Sequence, residues 1–139
     1  MPDTFKLEIV TPEGVICSEQ VEMLTLPGVE GEMGIYPMHV PLMTQIEPGE
    51  LTWIKNGQEH LLAVGEGFVE ITGEHVAIMT DMAIEADSID EAAAEEARRR
   101  AEGRLQEKIS EEELAAVQAS LVRITAQLHV KRHRRGQHH

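Results

Sequence analysis

His129 and His133 stand four residues apart near the end of this chain, a spacing that puts two imidazoles on one face of a helix. Together with His138 and His139 they could pick up a transition metal adventitiously. No cysteine or carboxylate lies at a spacing that would complete a cage, so no physiological metal site is expected. The run Lys131-Arg132-His133-Arg134-Arg135 could meet phosphate groups. With a net charge of −13, a pI near 4.9 and only Phe5, Tyr36, Trp53 and Phe68 as aromatics, the chain is poorly equipped for nucleic acid. That run therefore reads as a frayed, solubilising tail. His39 sits alone in a proline-rich loop without the Ser/Asp partners of a hydrolytic site. Asp81, Glu85, Asp87 and Asp90 read as solvated charge near a domain junction. The glycines between 28 and 34 lack the lysine and the strand–loop–helix setting of a phosphate cradle, and read as turn residues. Cys17, the one cysteine, excludes an intrachain disulfide, fits a reducing compartment, and reads as a small buried apolar group. The chain is poor in nucleophile, base and metal cage alike, so it is not expected to be an enzyme.

The elements that must position these groups divide the chain in two. Phe5, Leu7 and Ile9 alternate with Lys6, Glu8 and Val10, the period of a half-buried strand. Pro12-Glu13-Gly14 turns the chain into a second apolar stretch over 15–26, and Pro48-Gly49 punctuates before 51–55. Asn56-Gly57 between 51–55 and 59–64 is a strong hairpin signal, because both residues tolerate the positive φ of a type I′ turn. Further segments over 68–72 and 75–80 flank Gly73-Glu74. Turn signals every eight to twelve residues predict an antiparallel sandwich or barrel of about ten short strands ending near Glu85.

The remainder is helical. Ser88-Ile89-Asp90-Glu91 reads as a capping box, followed by a small-residue stripe of Ala94, Ala97, Ala101 and Leu105. Gly103 in that helix costs about 1 kcal/mol relative to alanine, tolerable where a partner helix crosses. Ser110-Glu111-Glu112-Glu113 is a second capping box, and Leu114, Val117, Leu121, Ile124 and Leu128 form a heptad-like seam. The two helices are expected to fold back as an antiparallel pair joined around residues 107–109. Two thin stripes bury little, so the pair should be marginal and able to change hosts. The architecture is thus β + α in two domains, a sandwich over 1–86 and a helical hairpin with a basic tail over 87–139.

The chain has 139 residues, 42% hydrophobic and 27% charged, which fits one medium or two small globular domains. No run of 18 apolar residues and no charged-then-apolar leader is found, so neither a membrane span nor a signal peptide is expected. Residues 1–97 hold 20 acidic and 2 basic groups, whereas 98–139 hold 5 acidic and 10 basic. An acidic body with a basic end points to two different partner surfaces.

Gly31-Glu32-Met33-Gly34-Ile35-Tyr36-Pro37, His39 and Pro41-Leu42, then Gly65-Glu66-Gly67-Phe68-Val69-Glu70, Val76-Ala77-Ile78-Met79 and Ala86-Asp87-Ser88-Ile89-Asp90, carry a resemblance. From near residue 5 to near 130 the chain resembles the epsilon subunit of F-type ATP synthases, with Met38 where a glycine is usual. The resemblance implies a non-catalytic rotor subunit, peripheral on the cytoplasmic face of a bacterial inner membrane, coupling proton flow to ATP synthesis. It implies that the sandwich grips gamma and rests on the c-ring. The acidic loop Glu30, Gly31, Glu32, Met33 and Gly34, with Glu32 foremost, is the implied ring contact, and Thr11, His39 and Thr44 match positions facing gamma. The hairpin is implied to be an inhibitor of ATP hydrolysis when extended into the alpha/beta head. Arg98, Arg99, Arg100, Arg104 and Arg123 are then the groups to meet an acidic loop of the beta subunit.

Some bacterial members bind ATP through an Ile/Leu-Asp-x-x-Arg-Ala motif. Here Ile89 and Asp90 are present and Ala94 matches, but Ala93 replaces the arginine. Arg100 and Arg123 fall near other basic positions of that site, and Ala116 stands near one that is not basic here. Weak or absent ATP binding, and no cofactor, are expected. Two other classes stay open: a free-standing adaptor whose hairpin binds a partner helix, and a small hydrolase using His39 with a nearby carboxylate.

Overall fold

The structure is a computed structural model and describes residues 4–137. Its strands are β1 (Phe5–Thr11), β2 (Gly14–Val21), β3 (Met23–Gly28), β4 (Gly31–Ile35) and β5 (Leu42–Ile46), then β6 (Gly49–Lys55), β7 (Gln58–Val64), β8 (Gly67–Thr72), β9 (His75–Thr80) and β10 (Ala83–Glu85). A single 3-10 turn, Ala86–Ser88, leads into helices α1 (Glu91–Leu105) and α2 (Glu111–Gly136).

The strands form where the alternation is strict. In β1, Phe5, Leu7 and Ile9 point into the core while Lys6, Glu8 and Val10 are half-buried. Asn56 and Gly57 adopt φ of 53° and 77°, the two positive values that a type I′ turn requires, and they close the β6–β7 hairpin. The stretch over 15–26 is two strands rather than one. β2 pairs with β1 and β3 with β4 and β6, so the chain changes partners at Glu22, whose N–H donates to the Ile54 carbonyl at 2.7 Å. No glycine or proline marks that switch in the sequence.

The strands run in the order β10-β7-β6-β3-β5-β8-β9-β1-β2, with β4 on β3. The sheet folds over itself at one bridge, Gly28 to Ile46, and encloses a core that includes Leu7, Ile9, Leu24, Leu26, Leu51, Leu62, Val69 and Ile78. Lys55 of β6 and Glu19 of β2 pair at 2.7 Å across the gap between the two halves. The pairing is antiparallel except between β1 and β9, which run parallel, a correction to the wholly antiparallel expectation. No hairpin joins these two, so turn geometry does not dictate their direction. At Gly67 a Cβ would lie 2.0 Å from the Met79 carbonyl oxygen, so the β8–β9 approach admits only glycine there.

The helices meet most sequence expectations with three corrections. Asp90, not Ser88, caps α1: its carboxylate accepts from the Ala93 N–H at 3.0 Å, because Ser88 is held back in the 3-10 turn. Ser110 caps α2 as expected, accepting from the Glu113 N–H at 3.1 Å, and its hydroxyl meets the Glu113 carboxylate. At Gly103 a Cβ would meet open space, so no helix crosses there. The tight approach is instead at Ala94 and Ala97, against Ile124 and Leu128. The third correction concerns the basic run over 131–135, which is not frayed. It is the last part of α2, and it is engaged.

Candidate interaction surfaces

The acidic loop forms the β3–β4 turn. Glu30 and Glu32 are exposed, Gly31 takes φ 120°, and Gly34 is exposed, while the Met33 side chain packs toward the core. The tip therefore offers carboxylates and backbone, not the methionine. Glu32 also lines a cavity of about 740 Å³ between the sheet and the hairpin.

Thr11, His39 and Thr44 do not share an outward face. Thr11 is buried and its hydroxyl accepts from the Glu13 N–H at 3.1 Å, which locks the β1–β2 turn. Thr44 is half-buried and pairs with the core residue Val69, so it lies on the inner side of β5. His39 is half-buried, and its Nδ1 lies 2.8 Å from the Val40 carbonyl, its only hydrogen-bond partner among the described residues. It has no carboxylate neighbour to make it a base. Beside it, Met38 holds a φ of 67°, a conformation that favours glycine, the residue the resemblance implies at that place.

An outer apolar ladder runs across the same half of the sheet. Val10 stands opposite Met79, Met79 opposite Phe68, and Met43 one step along β5. Phe68, Met79 and Met43 are all at least half exposed, as are Tyr36, Met38 and Val40 in the loop before β5. Large contiguous apolar exposure of this kind marks an interaction surface. Its signal in the sequence was the broken alternation at Phe68-Val69 and Ile78-Met79, where an apolar residue takes the outward position.

The hairpin sits on the other half. Val130 of α2 is fully buried among Leu61, Ala63, Ala86 and Ile89. Around it, Lys131 donates to the Ala86 carbonyl at 3.2 Å, Arg132 pairs with Glu91 at 3.0 Å and with Glu95, Arg134 pairs with Asp87 at 3.3 Å, and Arg135 pairs with Glu91. Hydrogen bonds from Arg132 hold the Glu91 carboxyl below the usual carboxylate range and push the Arg132 guanidinium above its own. Asp87 at the domain junction, with Glu91 and Glu95 of α1, thus ties the end of α2 back to the start of the hairpin. His129 and His133 do share one face, as their spacing predicts, and both turn to Glu50 of β6. Among the described residues no group of three ligands suited to a metal is assembled, and His138 and His139 lie outside them.

The five arginines are mostly occupied within the hairpin. Arg98 pairs with Glu95 at 2.7 Å, Arg100 with Glu96 at 3.4 Å, Arg104 with Glu107 at 2.9 Å and with Glu113, and Arg123 with Asp81 at 3.8 Å. Arg99 is exposed and makes no ion pair among the described residues. The residues of the degenerate nucleotide motif have structural duties: Ile89 is buried under Val130, Asp90 caps α1, and Ala94 lies in the helix seam, leaving Ala93 exposed. Cys17 is buried, and desolvation with nearby Glu19 pushes its thiol up to about 11, which makes it inert.

A ten-stranded folded sheet carrying an exposed apolar face, with a helical hairpin clipped to it by charge, describes a subunit that binds partners. The family models agree with that class. Residues 4–86 match the ATP synthase delta/epsilon chain β-sandwich domain and residues 87–132 the delta/epsilon chain long α-helix domain, so the chain belongs to the ATP synthase delta/epsilon family. Its similarity runs nearly end to end with epsilon chains. It is 45% identical over 131 residues to the ATP synthase epsilon chain of Herpetosiphon aurantiacus, covering 94% of this chain and 96% of that one. It is 48% identical over 128 residues to that of Chloroflexus aggregans, covering 88% and 92%. Within the family it is of the epsilon type, a non-catalytic subunit of the F-type ATP synthase central stalk. A chain in the cryo-EM structure of the Euglena gracilis mitochondrial ATP synthase (OSCP, F1 and c-ring) shares the fold at TM-score 0.69 and 22% identity, covering 100% of this chain and 84% of that one.

Proposed function

We propose that this subunit couples rotation of a proton-driven ring to ATP synthesis, and that its hairpin opposes ATP hydrolysis when extended. In this reading it works peripherally at the cytoplasmic face of a bacterial inner membrane. The outer apolar ladder of Val10, Met43, Phe68 and Met79 binds gamma, the Glu30–Glu32 tip meets the c-ring, and the released hairpin reaches the alpha and beta subunits. The observation that carries it is the unequal sheet: one half is covered by α2 on β6 and β7, and the other presents bare apolar side chains to a partner. Assembly with gamma tests it. Phe68→Glu and Met79→Glu should abolish co-purification with gamma, and Thr44→Ala should not; unimpaired association in both glutamate variants would refute the assignment of that face.

The inhibitory role is supported by the hairpin's dependence on exposed ion pairs, each worth about 0–1 kcal/mol. Neutralising Arg98, Arg99 and Arg100 should raise the ATPase rate of the assembled head; an unchanged rate removes these arginines from the mechanism. ATP binding to the folded hairpin is expected to be weak, since each missing charge-assisted contact forgoes roughly 1.5 to 3 kcal/mol. Micromolar affinity by titration calorimetry would overturn that.

A further inference from the structure

We propose that the uncovered face of the sheet receives an amphipathic helix of gamma laid across the strands. Its apolar stripe rests on Phe68, Met79, Val10 and Val15, and two of its basic side chains, about seven residues apart, meet Glu70 and Glu8. The inference rests on the reading that this face binds gamma, and it names what gamma must present there. Strand pairing sets the four apolar residues in one row, one each from β8, β9, β1 and β2. Phe68, Met79 and Val15 are at least half exposed, and Val10 is half-buried. The neighbouring row reads Met43, Glu70, Ala77, Glu8 and Ser18 from β5 to β2.

The direction of the helix follows from these two rows. β8, β9 and β1 are each paired on both edges, so a partner on this face must bind through side chains and not by adding a strand. Along a single strand the outward apolar character lasts one residue: Phe68 gives way to Glu70 on β8, and Val10 to Glu8 on β1. A helix parallel to the strands would press its apolar stripe onto a carboxylate. A helix laid across them meets one apolar residue per strand. Strands lie about 4.8 Å apart and a helical turn rises about 5.4 Å, so contacts at i, i+3 or i+4, i+7 and i+11 keep step with the row.

Charge says what flanks that stripe. Glu70 and Glu8 stand on either side of Ala77, two strands and hence about 10 Å apart, the rise of about seven helical residues. Glu70 is half-buried and meets no cation among the described residues, while Glu8 meets His75 through one oxygen at 2.7 Å. Covering Glu70 without supplying a positive charge would bury a lone carboxylate, which is costly. On the opposite flank Glu66 and Asp81 border α2, and Asp81 meets Arg123 at 3.8 Å. The partner's cations therefore belong on the Glu70 side.

Crosslinking within the complex tests the geometry. Met43→Cys, Met79→Cys and Val15→Cys, each in the full chain, carry a photo-activated crosslinker while the buried Cys17 stays in place, and mass spectrometry locates the joined gamma residues. Met43 to Met79 and Met79 to Val15 are each two strands apart, so the joined residues should fall in one gamma segment at steps of about seven. Steps near three, the mark of a strand, or sites scattered over separate segments would overturn the helix. Glu8→Lys with Glu70→Lys should weaken gamma binding about 10-fold and abolish its decline with added salt, and the corresponding glutamine pair should lie between. Thermal unfolding of these variants alone should match the parent, since the side chains point outward. Unchanged affinity and salt dependence would remove the basic flank and with it this proposal. Binding undiminished by Phe68→Glu with Met79→Glu would refute instead the face itself.

Discussion

The sandwich and the hairpin are held by different forces. Among the largest fully buried side chains, Leu128 alone comes from a helix; Phe5, Leu7, Ile9, Leu24, Leu26, Ile35, Ile46, Leu51, Leu62, Ile71 and Ile78 belong to the sheet. The hairpin contributes alanines, one isoleucine, one leucine, one valine and a ring of charges. Apolar burial is non-directional and adds up with area, so the sheet gains a deep, continuous minimum. Exposed ion pairs each add little and are screened by salt, so the hairpin's seat is shallow. A subunit that must both hold a partner and rearrange divides those tasks between two kinds of physics.

That contrast can be broken from the sandwich side first. Leu62→Ala should cost about 3 kcal/mol of global stability, from lost transfer energy and the cavity left behind, read by denaturant unfolding with Trp53 as the probe. A loss under 1 kcal/mol would show that the sheet is not the rigid half. Val130→Ala should cost about 1 to 2 kcal/mol and show it differently: residues 121–130 lose exchange protection while the sheet keeps its own. Should both regions loosen together, they form one cooperative unit.

Smaller effects sharpen the picture. Met38→Gly should stabilise the sandwich by about 1 kcal/mol by relieving the left-handed backbone, raising the unfolding midpoint without touching the hairpin. Gly103→Ala should stabilise α1 by roughly 0.5 to 1 kcal/mol, visible as increased helicity. The smallest change is in acid. The Glu91 carboxyl is held below the usual range by Arg132, so its contribution is fully present above that range and is lost as pH falls through the lowered value. The packing of α2 on the start of α1 should therefore weaken in acid, a trend absent from Glu91→Gln, followed by the exchange protection of residues 121–130.

Much of the fold was legible because its cues are local. The alternation in β1, the Asn56-Gly57 turn, the Ser110 cap and the Ile124/Leu128 seam each follow from a few neighbouring residues. The misses share a cause. The partner switch at Glu22 and the parallel pairing of β1 with β9 are set by strands far apart in sequence. The basic run over 131–135 reads as a solvated tail until Glu91, Glu95 and Asp87 are brought beneath it.

The sequence by itself determined a β half, a helical half, an acidic body with a basic end and the shared face of His129 and His133, because strand and helix periods and charge counts are properties of short stretches. Only the tertiary structure decided which carboxylates those cations and imidazoles meet, and which half of the sheet stays uncovered. Glu50 lies 83 residues from His133, and only the closing of the sheet and the folding back of α2 set the distance between them.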